Sequence, residues 1–139
     1  MKTLMVVIIS SVLLFQYSCS TEPENDYTYF KIMVDSISHP NTISVSDTLK
    51  IKFYGFVGPD GCHKFSRFEE QKISNVLELT VWGSKPNFQT ACPEVLVYLN
   101  SEEYKTVLNQ IGNYLIKINQ SDNTFLLDSV YVQWNNKSC

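Results

Sequence analysis

The residues best equipped for chemistry lie in the short segment Asp60-Gly61-Cys62-His63, with a further cysteine at Cys92. A carboxylate, a thiol and an imidazole are zinc ligands, and a thiol beside an imidazole can act as a nucleophile. A structural zinc site takes four ligands from elements with coordinated spacing. The chain has only two histidines, His39 and His63, and neither has a partner at such spacing. The sequence therefore predicts no metal, no cofactor and no catalytic residue here.

A disulfide is the expected role of these cysteines, because the first residues of the chain indicate export and exported proteins meet an oxidising compartment. Three pairings exist among Cys62, Cys92 and Cys139. The pairing of Cys62 with Cys92 is favoured, because Cys62 follows the turn sequence Gly-Pro-Asp-Gly and Cys92 precedes a proline, whereas Cys139 ends a polar tail. An oxidised Cys62 has no thiolate and cannot be a nucleophile.

Paired carboxylates occur at Glu69-Glu70 and at Glu102-Glu103. Neighbouring residues of a strand point to opposite faces, so neither pair forms a glycosidase-like dyad by itself. Solvated surface charge is the interpretation that we favour. Phosphate-binding loops, dinucleotide fingerprints and hydrolase motifs such as Gly-x-Ser-x-Gly are absent from the sequence.

Three aromatic residues, Tyr54, Phe56 and Trp82, are out of step with the apolar residues of their own segments. Both faces of a sheet in a sandwich cannot be core, so some of these rings are expected to be exposed. Exposed rings stack on sugars or contact proteins. They are the candidate ligand-binding residues, with packing at the rim of the sandwich as the alternative.

The sequence predicts that the elements carrying these residues are strands. Apolar residues alternate with polar ones in 48–55, 76–82 and 113–119, with Leu49, Ile51 and Phe53 on one face of the first segment. This period of two is typical of half-buried strands in an antiparallel sheet. Within 102–110 a short helix competes, and a change of face at Asp128 predicts a bulge or an edge. Further strands are predicted at 30–37, 63–70, 95–99, 104–108 and 125–133.

The first 18 residues have the layout of a signal peptide, with Lys2 followed by the apolar run 4–15. That run is shorter than the roughly 20 residues a membrane-spanning helix needs. Once Lys2 is removed, ten of the 11 basic residues remain against 14 acidic ones, and no basic block appears. Nucleic acid is therefore not an expected partner.

Three roles are open for Cys19: lipid attachment, removal with the leader by cleavage after Ser20, or a disulfide. The apolar run and the pair Ser18-Cys19 resemble the leaders of lipoproteins from the Bacteroides and Flavobacterium group. In that group a stretch rich in serine and acids, similar to 20–26 here, acts as an export signal to the outer surface. The resemblance implies a lipid on Cys19, and the polar residues 20–28 would form a flexible tether.

A second resemblance concerns the fold. The segments Ile43-Ser44-Val45-Ser46-Asp47-Thr48-Leu49-Lys50-Ile51 and Ile111-Gly112-Asn113-Tyr114-Leu115-Ile116-Lys117-Ile118 resemble the opening and the penultimate strand of bacterial immunoglobulin-like domains. They bracket most of the chain. The resemblance implies an immunoglobulin-like fold and no particular activity.

The sequence thus predicts a signal peptide at 1–18, a lipidated Cys19 with an acidic tether to residue 28, and an immunoglobulin-like antiparallel β-sandwich of about seven or eight strands at 29–139. The expected function is a non-enzymatic binding or interaction module at the bacterial outer membrane, held by its lipid and facing the cell surface. Its partner would be an unknown protein or glycan. The alternatives are a carbohydrate-binding domain that uses Tyr54, Phe56 and Trp82, and an enzyme with a site around Asp60 and His63.

Overall fold

A computed structural model describes residues 26–88 and 91–135, so the predicted leader, Cys19 and Cys139 lie outside the described residues. Within that range the chain forms nine strands and no helix, and accordingly no helix able to cross a membrane. The strands are β1 (Tyr27–Lys31), β2 (Met33–Ser38), β3 (Thr42–Ser44), β4 (Thr48–Gly58), β5 (Lys64–Ile73), β6 (Val76–Pro86), β7 (Val97–Val107), β8 (Gly112–Asn119) and β9 (Phe125–Gln133).

The strands form two sheets. One has three strands in the order β2-β4-β7, and the other has six. In the six-stranded sheet β5 pairs along nearly all of β6, so β8 and β1 share the other edge of β6, each at a different end, and β9 and β3 follow β8. The predicted all-β sandwich is confirmed.

Two described pairings, β6 with β8 and β3 with β9, are parallel, whereas the sequence predicted an antiparallel sandwich. The reason for the first is the route of the chain. After β6 it passes through β7 in the other sheet before returning as β8, and only such a crossover brings a strand back in the same direction.

The core lies between the inward faces of the two sheets. Leu49, Ile51 and Phe53 of β4 are fully buried, which confirms the alternation read from the sequence. The inward positions of β6 and β8 are equally buried, and their side chains meet those of β4 across the sandwich. The inward residues of these two strands are Leu77, Leu79, Val81, Tyr114, Ile116 and Ile118.

The predicted strand 30–37 is two strands, because the chain changes sheets within it. Ile32 is buried and its amide still bonds the carbonyl of Val81 in the six-stranded sheet, while β2 joins the three-stranded sheet one residue later. This crossing adds one strand to the predicted set, and the short strand β3 adds another. The first strand also begins at Tyr27, two residues before the predicted start of the domain.

The segments 95–99 and 104–108, predicted as separate strands, belong largely to the single strand β7. Ser101 adopts a φ of 63° where the register against β4 shifts, so the chain accommodates one extra residue there and continues. The competing helix at 102–110 does not form. The bulge expected at Asp128 is absent, because β8 and β9 pair in continuous register, but the alternative of an edge is correct, because among the described strands β3 pairs with β9 only at Tyr131–Gln133 and Asp128 has β8 alone beside it. Alternation along β9 directs Asp128 toward the inner face, but its side chain is 49% exposed, and its carboxylate lies 3.2 Å from Nε2 of His39.

Candidate functional site

The three candidate aromatic residues do not form one site. Trp82 lies on the outer face of the six-stranded sheet, whereas Tyr54 and Phe56 lie on the outer face of the three-stranded sheet, where Phe56 packs against Tyr98 with ring centroids 5.6 Å apart. The whole sandwich separates the two faces. The sequence could show that these rings leave the core, but their distribution between the sheets depends on strand pairing.

Trp82 belongs to a cation–aromatic stack on its face. The guanidinium of Arg67, its cross-strand neighbour on β5, lies 5.4 Å from the centroid of the Trp82 ring and 5.0 Å from that of Tyr29 on β1. Each such contact stabilises by about 0.5–1 kcal/mol at an exposed site. The stack joins three strands and exposes much of Tyr29, whose accessible fraction is 42%.

The ring of Trp82 is oriented by a hydrogen bond. Its indole Nε1–H donates to Oε2 of Glu69 at 2.6 Å. Glu69 lies two residues from Arg67 on β5 and therefore projects from the same face. Because the indole is held both by this bond and by the guanidinium, its position is defined by contacts within the domain.

A polar depression of about 330 Å³ lies next to this stack on the same face. Its floor is Thr80 on β6, which is only 7% exposed and two residues from Trp82. The lining residues come from β5, β6 and β8, and they are Glu69, Glu70, Gln71, Glu78, Thr80 and Asn119.

Asn119 organises the depression. Its Nδ2 donates to Oε1 of Glu78 at 2.9 Å and to Oγ1 of Thr80 at 3.0 Å, and Nζ of Lys117 lies 3.3 Å from Oε2 of Glu78. The bond from Asn119, with the ammonium of Lys117, lowers the pKa of Glu78 below its ordinary value. Glu78 is therefore an ionised acceptor at neutral pH.

Glu69 and Glu70 both line the depression, although the sequence predicted that they point to opposite faces, and they have different partners. Glu69 bonds the indole of Trp82, whereas Glu70 pairs with Nζ of Lys72 at 3.0 Å. In the second pair, Glu103 binds Nζ of Lys105 at 3.0 Å and its pKa is lowered by that bond.

The Cys62–Cys92 disulfide is confirmed, with Cα atoms 5.4 Å apart. Oδ1 of Asp60 accepts from the amide of Cys62 at 2.9 Å and lies 2.9 Å from Nδ1 of His63. The bond with His63, together with that amide, lowers the pKa of Asp60. The Asp60 carboxylate and the two sulfurs lie close together, but the sulfurs are bonded to each other and no thiolate remains to bind a metal. The disulfide and the Asp60 hydrogen bonds hold the loop between β4 and β5 in place.

The two histidines occupy separate places. The ring of His63 lies over Gly58 and meets Phe30 edge-on at 5.5 Å, whereas His39 follows Ser38, the partner of Lys52 on β4. Six residues of β4 separate the two places, which corresponds to about 20 Å along an extended strand. One reaction centre cannot use both rings.

The fold, the core and the polar outer face define a β-sandwich domain. A family model described as the ORF11 beta-sandwich domain matches residues 49–127, more than half of the chain, and the chain belongs to this family. No curated protein and no solved structure matches. The matched range includes Trp82, the whole lining of the depression and both bonded cysteines.

Proposed function

We propose that this protein is a non-enzymatic binding module of the bacterial envelope, held at the outer membrane by a lipid on Cys19 and facing the cell surface. The proposal includes an origin in the Bacteroides and Flavobacterium group and an immunoglobulin-like relationship of the sandwich. The leader and its Ser18-Cys19 pair support the anchor. The first strand begins at Tyr27, so a short tether would join lipid and domain.

One observation carries the binding role: the Tyr29–Arg67–Trp82 stack and the polar depression share the outer face of the six-stranded sheet. A sandwich needs only the inward faces of its sheets for its core. Ordered aromatic rings beside hydrogen-bonding groups offer apolar and polar contacts together, and ligand recognition uses both kinds of contact.

The electrostatics of the face favour binding over catalysis. A general acid near neutral pH needs a raised pKa, whereas the pKa of Glu78 is lowered by its bonds to Asn119 and Lys117. Glu69 is held by the indole of Trp82. Such carboxylates are fixed hydrogen-bond acceptors.

The anchor is tested by intact mass spectrometry of the mature protein from the membrane fraction. We expect a chain that begins at Cys19 and carries acyl groups, and we expect Cys19→Ala to remove both the lipid and the membrane association. Cys139→Ala is the matched control and should retain both. A lipid-free chain that begins at Thr21 would contradict the anchor.

The binding face is tested with the indole signals in proton–nitrogen NMR spectra, because the chain has only two tryptophans, Trp82 and Trp134. Trp134 is 69% exposed and serves as an internal reference. We expect solubilised envelope material to shift the Trp82 signal and to leave that of Trp134 unchanged. Equal shifts of both signals, or none, would refute a binding role for this face.

A further inference from the structure

The depression beside Trp82 has the layout of a saccharide site. One cross-strand row, Glu69–Thr80–Asn119–Phe125, spans β5, β6, β8 and β9. With strands about 4.8 Å apart, this row is about 14 Å long. We infer that it binds a neutral oligosaccharide, an inference that rests on the proposed function and assigns its ligand class.

The hydrogen-bonding groups of the row require a ligand rich in donors. Glu69 uses only Oε2 for the indole, and each carboxylate oxygen has two lone pairs, so both Glu69 and Glu78 retain acceptor capacity. Asn119 spends its amide nitrogen on Glu78 and Thr80, which leaves its Oδ1 to accept. Sugar hydroxyls donate as well as accept hydrogen bonds, and several hydroxyls of one sugar can donate to the acceptors of this row.

One aromatic ring, Trp82, lies beside the polar groups of the row, and another, Phe125, lies at the end of the row. Trp82 follows Thr80 on β6 by two residues, so it lies about 7 Å from the floor on the same face. Phe125, the cross-strand partner of Asn119, is 54% exposed and lies under Nζ of Lys117 at 4.0 Å from its centroid. Rings beside hydroxyl-binding groups match a molecule with apolar faces and polar edges, which describes a hexose.

The charges of the depression select a neutral sugar. Glu70 is paired with Lys72, and Glu78 is paired with Lys117, but in 26–88 and 91–135 no ion pair involves Glu69. The six lining residues include three carboxylates and no basic side chain, and the guanidinium of Arg67 lies outside the lining, over the neighbouring Trp82 ring, so the depression itself disfavours uronic or other acidic sugars by repulsion. A cationic peptide would tolerate this charge, but the Thr80 hydroxyl, the two amides and the flanking rings suit a sugar better.

The site is organised before binding. Trp82 is fixed by Glu69, and Thr80 and Glu78 are fixed by Asn119. Groups that are already ordered lose little conformational entropy when a ligand binds, which favours affinity in an open depression.

The test uses the full mature chain and a panel of neutral oligosaccharides of glucose, galactose, mannose and N-acetylglucosamine, with oligogalacturonate as the acidic probe. Binding is followed by titration calorimetry and by the Trp82 indole signal. We expect at least one neutral oligosaccharide to bind and to shift Trp82 but not Trp134. No binding of any neutral member, or preference for oligogalacturonate, would overturn the inference.

Variants locate the site. Thr80→Val keeps the shape of the buried Thr80 side chain and removes its hydroxyl. Gln71→Ala removes the amide of the exposed Gln71 side chain, so each variant takes one polar group from the lining. The loss of one hydrogen bond weakens binding about fivefold. Phe56→Ala on the opposite sheet is the control and should change affinity less than twofold. Loss of binding in Phe56→Ala with full binding in the lining variants would place the site elsewhere and reject this one.

The proposed function and this inference fail differently. If envelope material shifts Trp82 but no saccharide competes with it, and protease treatment of that material abolishes the shift, the face binds a protein and the saccharide inference is wrong. If neither envelope material nor saccharides shift Trp82, both proposals are wrong.

Discussion

Gln120 is the most informative target for a stability experiment. Its side chain, 5% exposed, accepts the amide of Val34 at 2.9 Å through Oε1 and donates to the carbonyl of Val34 at 2.9 Å through Nε2. Val34 is itself 2% exposed and precedes the register shift between β2 and β4. One amide thus satisfies both backbone groups at a point where the strand ladder is interrupted.

The substitution Gln120→Met keeps the length of the side chain and removes both bonds. A buried polar group left without a partner costs about 1–3 kcal/mol, so two such groups cost about 2–6 kcal/mol. The removal of a buried amide offsets part of this, and we expect a net loss of about 2–4 kcal/mol. Domains have a free energy of unfolding of about 5–15 kcal/mol, so the variant should fold with a clearly lowered urea midpoint.

The assay is urea unfolding followed by circular dichroism, with hydrogen exchange of the Val34 amide as a local readout. Gln133→Met is the matched control, because Gln133 is exposed on β9, and it should change the free energy of unfolding by less than about 0.5 kcal/mol. A loss below about 1 kcal/mol in Gln120→Met, with unchanged exchange at Val34, would show that this amide does not secure β2.

Three further outcomes are expected. The double variant Cys62→Ala/Cys92→Ala should lose about 3–4 kcal/mol in urea unfolding, because the bond closes a segment with a sequence separation of 30, and a loss under about 1 kcal/mol would contradict this. Asn119 lowers the pKa of Glu78, so the contribution of Glu78 to the free energy of unfolding is present above pH 4.5 and is lost as the pH falls through the lowered pKa. Glu78→Gln should therefore flatten the acid side of a plot of the free energy of unfolding against pH, and an unchanged acid side would refute this linkage. Gly83→Ala should lose about 1–3 kcal/mol in thermal or urea unfolding, because its Cβ would lie 2.5 Å from a phenylalanine ring of β1, and unchanged stability would contradict this.

The carboxylates of the depression show why a binding site is hard to predict from the sequence of one strand. Glu69 and Glu78 are nine residues apart, on β5 and β6, and line one depression; the adjacent Glu70 also lines it but pairs with Lys72, whereas Glu69 bonds Trp82. Strand pairing brings distant side chains together.

The fold class, the strands with one buried face and the pairing of the cysteines were all predictable from the order of the residues. Leu49, Ile51 and Phe53 alternate with lysines and a threonine, and a period of two is a property of the strand alone. The bond between Cys62 and Cys92 followed from turn residues beside each cysteine.

The contacts among the outward residues depend on which strands lie side by side in the folded domain. Asn119 bonds Thr80, 39 residues away, because β8 returns parallel to β6, and that return depends on the passage of β7 through the other sheet. The same pairing separates Trp82 from Tyr54 and Phe56. Alternation tells which residues leave the core, but it carries no information about which strand will lie alongside, since that choice is made by the packing of the whole sandwich.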